Sequence, residues 1–389
     1  MNKKHNVIAN KQGVIASVAK LSLAFMAAVG LAFGLTACGD DSSSSSVAAP
    51  SVGDTELAGV VFDGGNYQVP EGELRWIDVN GKISEKSLSF YQDSRVAINN
   101  NMVFVMEGLG TDNVSMVKPE LIEEGAKTAV VWQVKFENSN PVDMAFDDGE
   151  AWVALQNADS LVKISTADGK VVKSIKTGEF ATGKEVSPYV TDVEFDDGTL
   201  YVLMQRYSTD ENFVFTYPKG LVAIYDGSTG TLQDTIQLVT NNPTKFTLYK
   251  GNLYVATMGE YNENYATDAD NKRGIEKVDL KAKKSELIIS GEKLGGGIYG
   301  FTADDGVAFA AIYKAWGNTP VVKIDLEKKT VEEVKGVADG QASLAYKDEV
   351  LYVGDHTMGK EKVYVYKDGK LTALEQPKGA QAPYSIALF

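Results

Sequence analysis

The sequence predicts an all-β fold, a seven-bladed β-propeller with four-stranded antiparallel blades whose ring is closed by pairing of the N- and C-terminal strands. Three observations lead there. A tight Asp/Asn/Gly turn followed by a strongly apolar strand recurs six times, at Asn99-Asn100-Asn101, Asp147-Asp148-Gly149, Asp196-Asp197-Gly198, Lys250-Gly251-Asn252, Asp304-Asp305-Gly306 and Lys347-Asp348-Glu349. The markers 101, 149, 198, 251, 306 and 349 are 48, 49, 53, 55 and 43 residues apart, close to the period of a propeller blade with several strands per unit. The two ends of the chain hold complementary fragments of one further unit.

Within a unit the strands differ in pattern. Those after the turns are continuously apolar, as in Ala151-Trp152-Val153-Ala154 and Leu253-Tyr254-Val255-Ala256, which suits strands buried on both faces. A variable loop follows, then an apolar strand ending near an acid, such as Val222-Ala223-Ile224-Tyr225-Asp226 or Val321-Val322-Lys323-Ile324-Asp325. The last strand alternates, as in Leu232, Asp234 and Ile236, and its lysines and glutamates discourage edge pairing. Complete units begin near Arg95, Val142, Val190, Lys245, Tyr299 and Ala342. Residues Leu57–Phe62, Glu73–Val79 and Lys82–Ser87 supply three strands lacking an inner one, and Pro383–Phe389 is an inner strand with nothing after it. Together they complete the seventh blade. No segment shows sustained helical periodicity.

Ahead of the repeat the chain reads as a leader and a tether. Lys3, Lys4, Lys11 and Lys20 precede or flank an apolar stretch, Leu21–Leu35, as in a secretory signal peptide. Leu35-Thr36-Ala37-Cys38 closes it and resembles the lipobox of bacterial lipoproteins, in which the cysteine is lipidated and becomes the new N-terminus. The expected organisation is a signal peptide over 1–37, a lipidated Cys38 with a Ser-rich tether over 38–54, and the propeller over 55–389. Gly39 rather than Asp follows the cysteine, and Asp40-Asp41 resemble acidic export tags, so the expected location is the bacterial outer membrane, surface-exposed or facing the periplasm.

Residues 1–37 carry four lysines and no acid, leaving 34 basic against 53 acidic groups in the processed chain, a net charge of −19. Such a surface repels phosphate backbones, so no nucleic-acid partner is expected, and it disfavours anionic headgroups, which leaves the acyl chains as the membrane attachment. With Cys38 the sole cysteine, no disulfide framework or thiolate metal site is available to the folded domain.

The repeated form, apolar–Asp-Asp-Gly–x-Leu-Tyr-Val followed by Val-x-x-Ile-Asp, a turn and Gly-x-Val, is similar to YncE/YVTN-type β-propellers, which sit among the quinoprotein-like and NHL-like propellers. The resemblance covers nearly all of the processed chain and rests on structural residues, so it implies fold rather than activity. The Trp-Asp pairs of WD40 blades and the docking tryptophans of quinone-dependent dehydrogenases are absent. A narrower likeness, in lipobox, acidic post-cysteine segment and propeller, is to surface lipoproteins that hand cobalamin or ferric siderophores to outer-membrane transporters. It implies a capture module with a transporter as partner.

Chemistry-bearing motifs are few. His5 lies in the leader, which leaves His356 alone, so no His-rich metal site and no zincin motif can be written; a Ser-His-Asp triad would have to use His356. Asp268-Ala269-Asp270-Asn271 has a trace of a calcium loop, but Lys272 and Arg273 follow it and no matched Glu closes it. No catalytic residue, metal ligand or cofactor is therefore assigned. A lactonase- or hydrolase-type enzyme using Glu, Asn and Asp remains an alternative, as does an envelope interaction scaffold.

The binding case rests on the loops. In an up-and-down blade the connections between strands two and three, and from one blade to the next, share the face opposite the Asp-Asp-Gly turns. Two second-to-third connections, Gln205–Gly220 and Gly259–Gly274, are long, which in compact repeats marks function or disorder. They hold Tyr207, Phe213, Phe215, Tyr217, Tyr261 and Tyr265; the equivalent loops of the next units add Tyr313 with Trp316, and then His356. Tyr189, Tyr299 and Tyr384 enter inner strands on the same face. Aromatic rings with polar tips suit a planar or amphipathic ligand. The expected ligand-binding set is Tyr189, Tyr207, Tyr217, Tyr261, Tyr265, Tyr299, Trp316, His356 and Tyr384, serving a small molecule or glycan on a monomeric propeller.

Overall fold

The computed structural model describes residues 50–64, 71–211, 214–261, 272–341 and 343–389. Seven blades of four antiparallel strands close a ring. From inner to outer strand, blade 1 is Ser94–Asn99, Met102–Glu107, Asn113–Val117 and Val130–Lys135, and blade 2 is Pro141–Asp147, Glu150–Leu155, Ser160–Ser165 and Val171–Lys176. Blade 3 is Val190–Asp196, Thr199–Met204, Lys219–Asp226 and Leu232–Asn241; blade 4 is Pro243–Tyr249, Asn252–Thr257, Gly274–Asp279 and Lys284–Ser290. Blade 5 is Gly297–Asp304, Val307–Tyr313, Val321–Asp325 and Thr330–Glu333; blade 6 is Leu344–Lys347, Val350–Asp355, Lys362–Lys367 and Lys370–Ala373. Blade 7 takes its inner strand, Ala382–Leu388, from the C-terminus and adds Thr55–Gly64, Glu71–Asp78 and Leu88–Tyr91.

The recurrent turns are built as their composition demands. In all six, two consecutive residues have positive φ: Asn100 and Asn101, Asp148 and Gly149, Asp197 and Gly198, Lys250 and Gly251, Asp305 and Gly306, Asp348 and Glu349. That is the type I′ geometry of two-residue hairpins, whose twist matches that of the flanking strands. At Gly306 a second constraint joins the first, because an added Cβ would lie 2.6 Å from the Tyr249 ring.

Apolar residues alternating across each blade pack blade against blade. Six clusters join successive blades from 1–2 to 6–7; Phe104 and Met106 meet Met144 and Val153, for example, and Phe309 and Ala311 meet Leu344 and Val353. Polar side chains at the ring's centre add a second connection. Asp143 of blade 2 accepts the Val193 N–H of blade 3 at 3.0 Å, and Asp192 accepts the Phe246 N–H of blade 4 at 2.8 Å. Thr302 of blade 5 accepts the Tyr346 N–H of blade 6 at 3.2 Å, and Ser385 of blade 7 accepts the Val96 N–H of blade 1 at 3.2 Å. Four of the seven inner strands thus offer a side-chain acceptor to the backbone of the next. Lys245 places its ammonium 2.9 Å from Asp192 and 3.8 Å from Asp143, which offsets part of the cost of burying the two acids.

Ring closure follows the expected pairing. Ala382–Leu388 runs antiparallel to Thr55–Gly64, with Val60 opposite Ala387 and Val61 opposite Ile386. The outer strand of that blade corrects the sequence reading. Lys82–Ser87 is not the strand; it contributes one bridge, Ile83 to Ile77, and the ladder resumes at Leu88–Tyr91. The cause is Arg75, whose guanidinium donates to the carbonyls of Ser84 at 2.9 Å and Glu85 at 2.8 Å, drawing those acceptors away from a neighbouring strand.

Candidate functional site

On the face opposite the type I′ turns, aromatic rings from three successive blades touch in an unbroken arc. Tyr189, entering blade 3, stacks on Tyr207 with ring centroids 3.8 Å apart. Tyr207 meets Phe215 at 5.6 Å and Tyr217 at 6.2 Å, and Phe215 stacks on Tyr217 at 5.7 Å. Tyr217 reaches across to Tyr261 of blade 4 at 6.2 Å. Tyr261 meets Tyr313 of blade 5 edge-on at 6.0 Å, and Tyr313 stacks on Tyr299 at 6.0 Å. These separations suit favourable ring pairs, each contributing about 0.5–1.5 kcal/mol beyond area burial.

Local structure explains how the rings reach one place. The blade 3 connection is not irregular throughout: Ser208–Thr209 pairs with Phe215–Thr216, and this small hairpin carries Phe215 beside Tyr207. Glu185 fixes its base by accepting from the Tyr189 hydroxyl at 3.0 Å and from the Thr209 N–H at 2.9 Å. Tyr189 and Arg206 hold positive φ, 53° and 62°, a strained backbone that these contacts over-determine. Tyr299 and Tyr384 owe their position to β-bulges. In the inner strand of blade 5 the register shifts between Ile298 and Gly300, and in blade 7 it shifts between Pro383 and Ser385, so each tyrosine is the extra residue and is re-aimed out of the strand's alternation.

Burial governs the ionisation of the arc. Desolvation pushes the Tyr189 hydroxyl up to about 12, with Glu185 adding to the effect, and drives Tyr207, Tyr261 and Tyr299 well above the ordinary phenol value. All are neutral donors at any physiological pH. The rings therefore present apolar faces and hydroxyl groups, without a phenolate nucleophile.

The remaining predicted residues divide. Tyr384 lies at the channel mouth rather than in the ring contacts; its hydroxyl donates to Asp93 and stands beside Arg95. His356 sits 3.1 Å from Ser343 Oγ. His356 is the only histidine among the described residues, but Ser343 is fully buried and donates its proton to the Pro383 carbonyl. With its proton committed there and no access for a substrate, Ser343 is a clasp between blades 6 and 7, not a nucleophile. Burial holds the His356 imidazole below its usual value, against the pull of Asp339 and Asp355. Trp316 is 63 % exposed on a tight turn between Ala315 and Asn318 and stacks on none of the described rings. Tyr265, Phe213, Cys38 and the calcium-like segment 268–271 lie outside the described residues.

Several residues at this face went unread in the sequence. Asp93, Arg95 and Asp339 are almost completely buried beside the tyrosines, and each stands in or near a short segment without a distinctive motif. A signal was available for the central ring: Asp143, Asp192 and Lys245 are charged residues at the third position of the inner strands of blades 2, 3 and 4. Among the described residues no group of three or more His, Cys, Asp or Glu side chains is arranged to hold a metal ion. A shallow cleft on the turn face, lined by Glu194, Leu248, Tyr249 and Asp304, lies on the side away from the aromatic arc.

No family model matches the sequence, and no curated protein matches it. Solved structures do match in shape. AztD of Citrobacter koseri superposes with a TM-score of 0.51 at 12 % identity, covering 86 % of this chain and 98 % of that one. Hydrazine synthase of Kuenenia stuttgartiensis gives 0.48 at 14 % identity over 68 % and 73 % of the two chains, and the computationally designed protein Ika8 gives 0.45 at 10 % over 83 % and 98 %. At such identities the likeness to AztD establishes the propeller fold alone, and a loop face on which such a fold binds a ligand is compatible with it.

Proposed function

We propose that this chain is a lipid-anchored protein of the bacterial outer membrane that captures a small molecule or glycan on the loop face of its propeller, delivering it to a transporter. The observation that carries the reading is the seven-ring arc from Tyr189 to Tyr299, laid across blades 3, 4 and 5 on one face. The rings come from two loops, the end of strand Val307–Tyr313 and two strand entries, and they meet across blade boundaries. Half-buried Tyr217 and Tyr261 stand at the centre of the arc and offer ring faces to a planar or amphipathic ligand. The YncE-like blade pattern, the lipobox at Cys38 and the acidic Asp40-Asp41 support the same reading. Trp316 and Met358, exposed on the loops of blades 5 and 6, offer an apolar rim for the transporter.

The test is a titration of the full-length chain in non-ionic detergent with corrinoids, siderophores and oligosaccharides, with turnover followed in parallel. Binding without turnover is expected. Replacing Tyr217 and Tyr261 together by Ala should weaken it by about tenfold or more with a small change in melting. Tyr207 is unsuitable for this purpose, because it is buried against Tyr189 and its truncation would cost stability. Full affinity in the double variant, or turnover lost on replacing a channel carboxylate, contradicts the assignment. The anchor is tested separately: Cys38→Ala should leave the protein unprocessed or free of the membrane, and normal processing with full membrane retention would contradict it.

A further inference from the structure

The chain enters the ring on the turn face, opposite the aromatic arc. Phe389, which ends the chain, has its carbonyl 3.1 Å from Lys347 Nζ, and Lys347 closes the blade 6 inner strand at its type I′ turn. The blade 7 inner strand therefore also ends at the turn face. Gly59 lies opposite Leu388 and Gly64 opposite Ala382, so the Thr55 end of the second strand is at the turn face too. Beyond the end of the inner strand, Ser51–Val52 pairs with Thr55–Glu56. It takes the inner edge of that strand, since the outer edge is occupied where the Glu56 carbonyl accepts the Val79 N–H at 3.1 Å. The Pro50 carbonyl accepts the Leu57 N–H at 2.9 Å, and Pro50 is buried. The chain is thus gripped from Pro50 onward, at the innermost position of its blade.

The two longer connections of the turn face border this entry. Ser51–Val52 lies against the 3-10 helix Pro119–Glu124, in the blade 1 connection 118–129. Val79, bonded to Glu56, opens the blade 7 connection 79–87. Lys86 Nζ stands 2.5 Å from the Glu123 carboxylate and joins the two connections to each other.

We infer that the turn face is the membrane-proximal face of the anchored protein and that the aromatic arc is held away from the bilayer. The inference rests on the reading of Cys38 as lipidated. Residues 38–49 are then the whole link between lipid and ring, twelve residues. Their reach is at most about 40 Å. A six-residue blade strand is about 20 Å long, and four strands span about 15 Å from first to last. Turning the loop face to the bilayer would require the link to cross that width and then that height, about 35 Å in all. Almost none of its length would be left. With the turn face toward the lipid the same link is slack. The anchor therefore favours one orientation, in which Tyr217 and Tyr261 meet ligand on the side away from the membrane.

The test uses the processed, lipidated full-length chain in vesicles of phosphatidylethanolamine and phosphatidylglycerol that carry an acceptor-labelled lipid. Two variants place a donor dye at opposite ends of one strand of blade 2, Ser160–Ser165: Asn157→Cys on the loop face and Ala167→Cys on the turn face, both exposed and outside the arc. Cys38, blocked by its lipid, takes no dye. The dye at 167 should lie about 20 Å nearer the lipid acceptors than the dye at 157. Equal distances, or a nearer dye at 157, overturn the orientation. Both variants are then remade with a Gly-Ser insert after Ser46, about twice the length of the link, and the difference between the dyes should shrink. An undiminished difference would assign it to adhesion of the turn face to lipid, and overturns the inference as argued from the link. Dye uptake at Cys38 with loss of vesicle binding removes the anchor reading, and the orientation with it. Vesicle binding with Cys38 blocked and the dye at 157 nearer removes the orientation alone.

Discussion

At the scale of single residues, the molecule places charge where burial makes it expensive and then uses it. Glu194, on the inner strand of blade 3, accepts the Leu248 N–H of blade 4 at 3.0 Å, and its desolvation, reinforced by Asp192, raises its carboxyl to about 8. Asp63, paired with Arg75 at 3.2 Å, is raised by burial to about 7. A carboxyl raised in the folded state binds its proton more tightly than in the unfolded chain. Its stabilising contribution is complete below the ordinary carboxylate value and is lost as pH rises through the folded value. The protein should therefore lose stability from about pH 4.5 to about pH 8 at these positions. Glu194→Gln, neutral throughout, should flatten that slope in melting curves taken across the window; an unchanged slope would mean that Glu194 is ionised in the folded protein. The residues of the candidate site were unevenly legible. Tyr207, Tyr217 and Tyr261 could be read because they sit in long loops, where an aromatic ring is conspicuous. Asp339 could not, because an isolated acid in a Gly-rich connection looks like any solvated turn until the structure buries it.

At the scale of elements, the strands were legible wherever alternation and turn chemistry agreed. The type I′ hairpins favour Asn, Asp or Gly at two successive positions, with Lys250 and Glu349 the departures, so they punctuate the chain at six of the seven inner-strand junctions. The bulges were not legible. Ile298-Tyr299-Gly300 and Pro383-Tyr384-Ser385 read as ordinary entries to strands, and only the register shift shows that each tyrosine is the supernumerary residue. The outer strand of blade 7 was misplaced for a related reason, since the capture of two carbonyls by Arg75 has no signature in local pattern. The C-terminal strand carries a prediction at this scale. Deleting residues 384–389 removes most of the ladder to Thr55–Gly64, the buried Ile386, the Tyr384 contact to Asp93 and the Ser385 link to blade 1. Loss of one buried aliphatic side chain alone costs about 2–5 kcal/mol, a large share of a domain's stability. The truncated chain should melt far below the intact one or fail to fold, and unchanged melting would mean that the ring closes by other means.

At the scale of the whole molecule, the two faces of the propeller differ in what their connections carry. The turn face holds the two-residue inner hairpins together with two longer connections, 118–129 in blade 1 and 79–87 in blade 7. On the other face the rings of blades 3, 4 and 5 converge. Blade-to-blade packing and the side-chain links between inner strands make the ring a rigid platform, so a site assembled from several loops can be held in one geometry. The repeat could be read from its period and the closure from unmatched strands at the two ends. Which loops meet could not, because that depends on how far each blade rotates past its neighbour. The measurement that tests the central claim most directly is amide hydrogen exchange on the full-length chain, with and without the tightest-binding corrinoid, siderophore or oligosaccharide. The account predicts new protection in the connections 205–218, 258–261 and 314–320, with the turns at 147–150, 196–199 and 304–307 unchanged. Protection confined to those turns, or to the cleft around Glu194 and Tyr249, would contradict it.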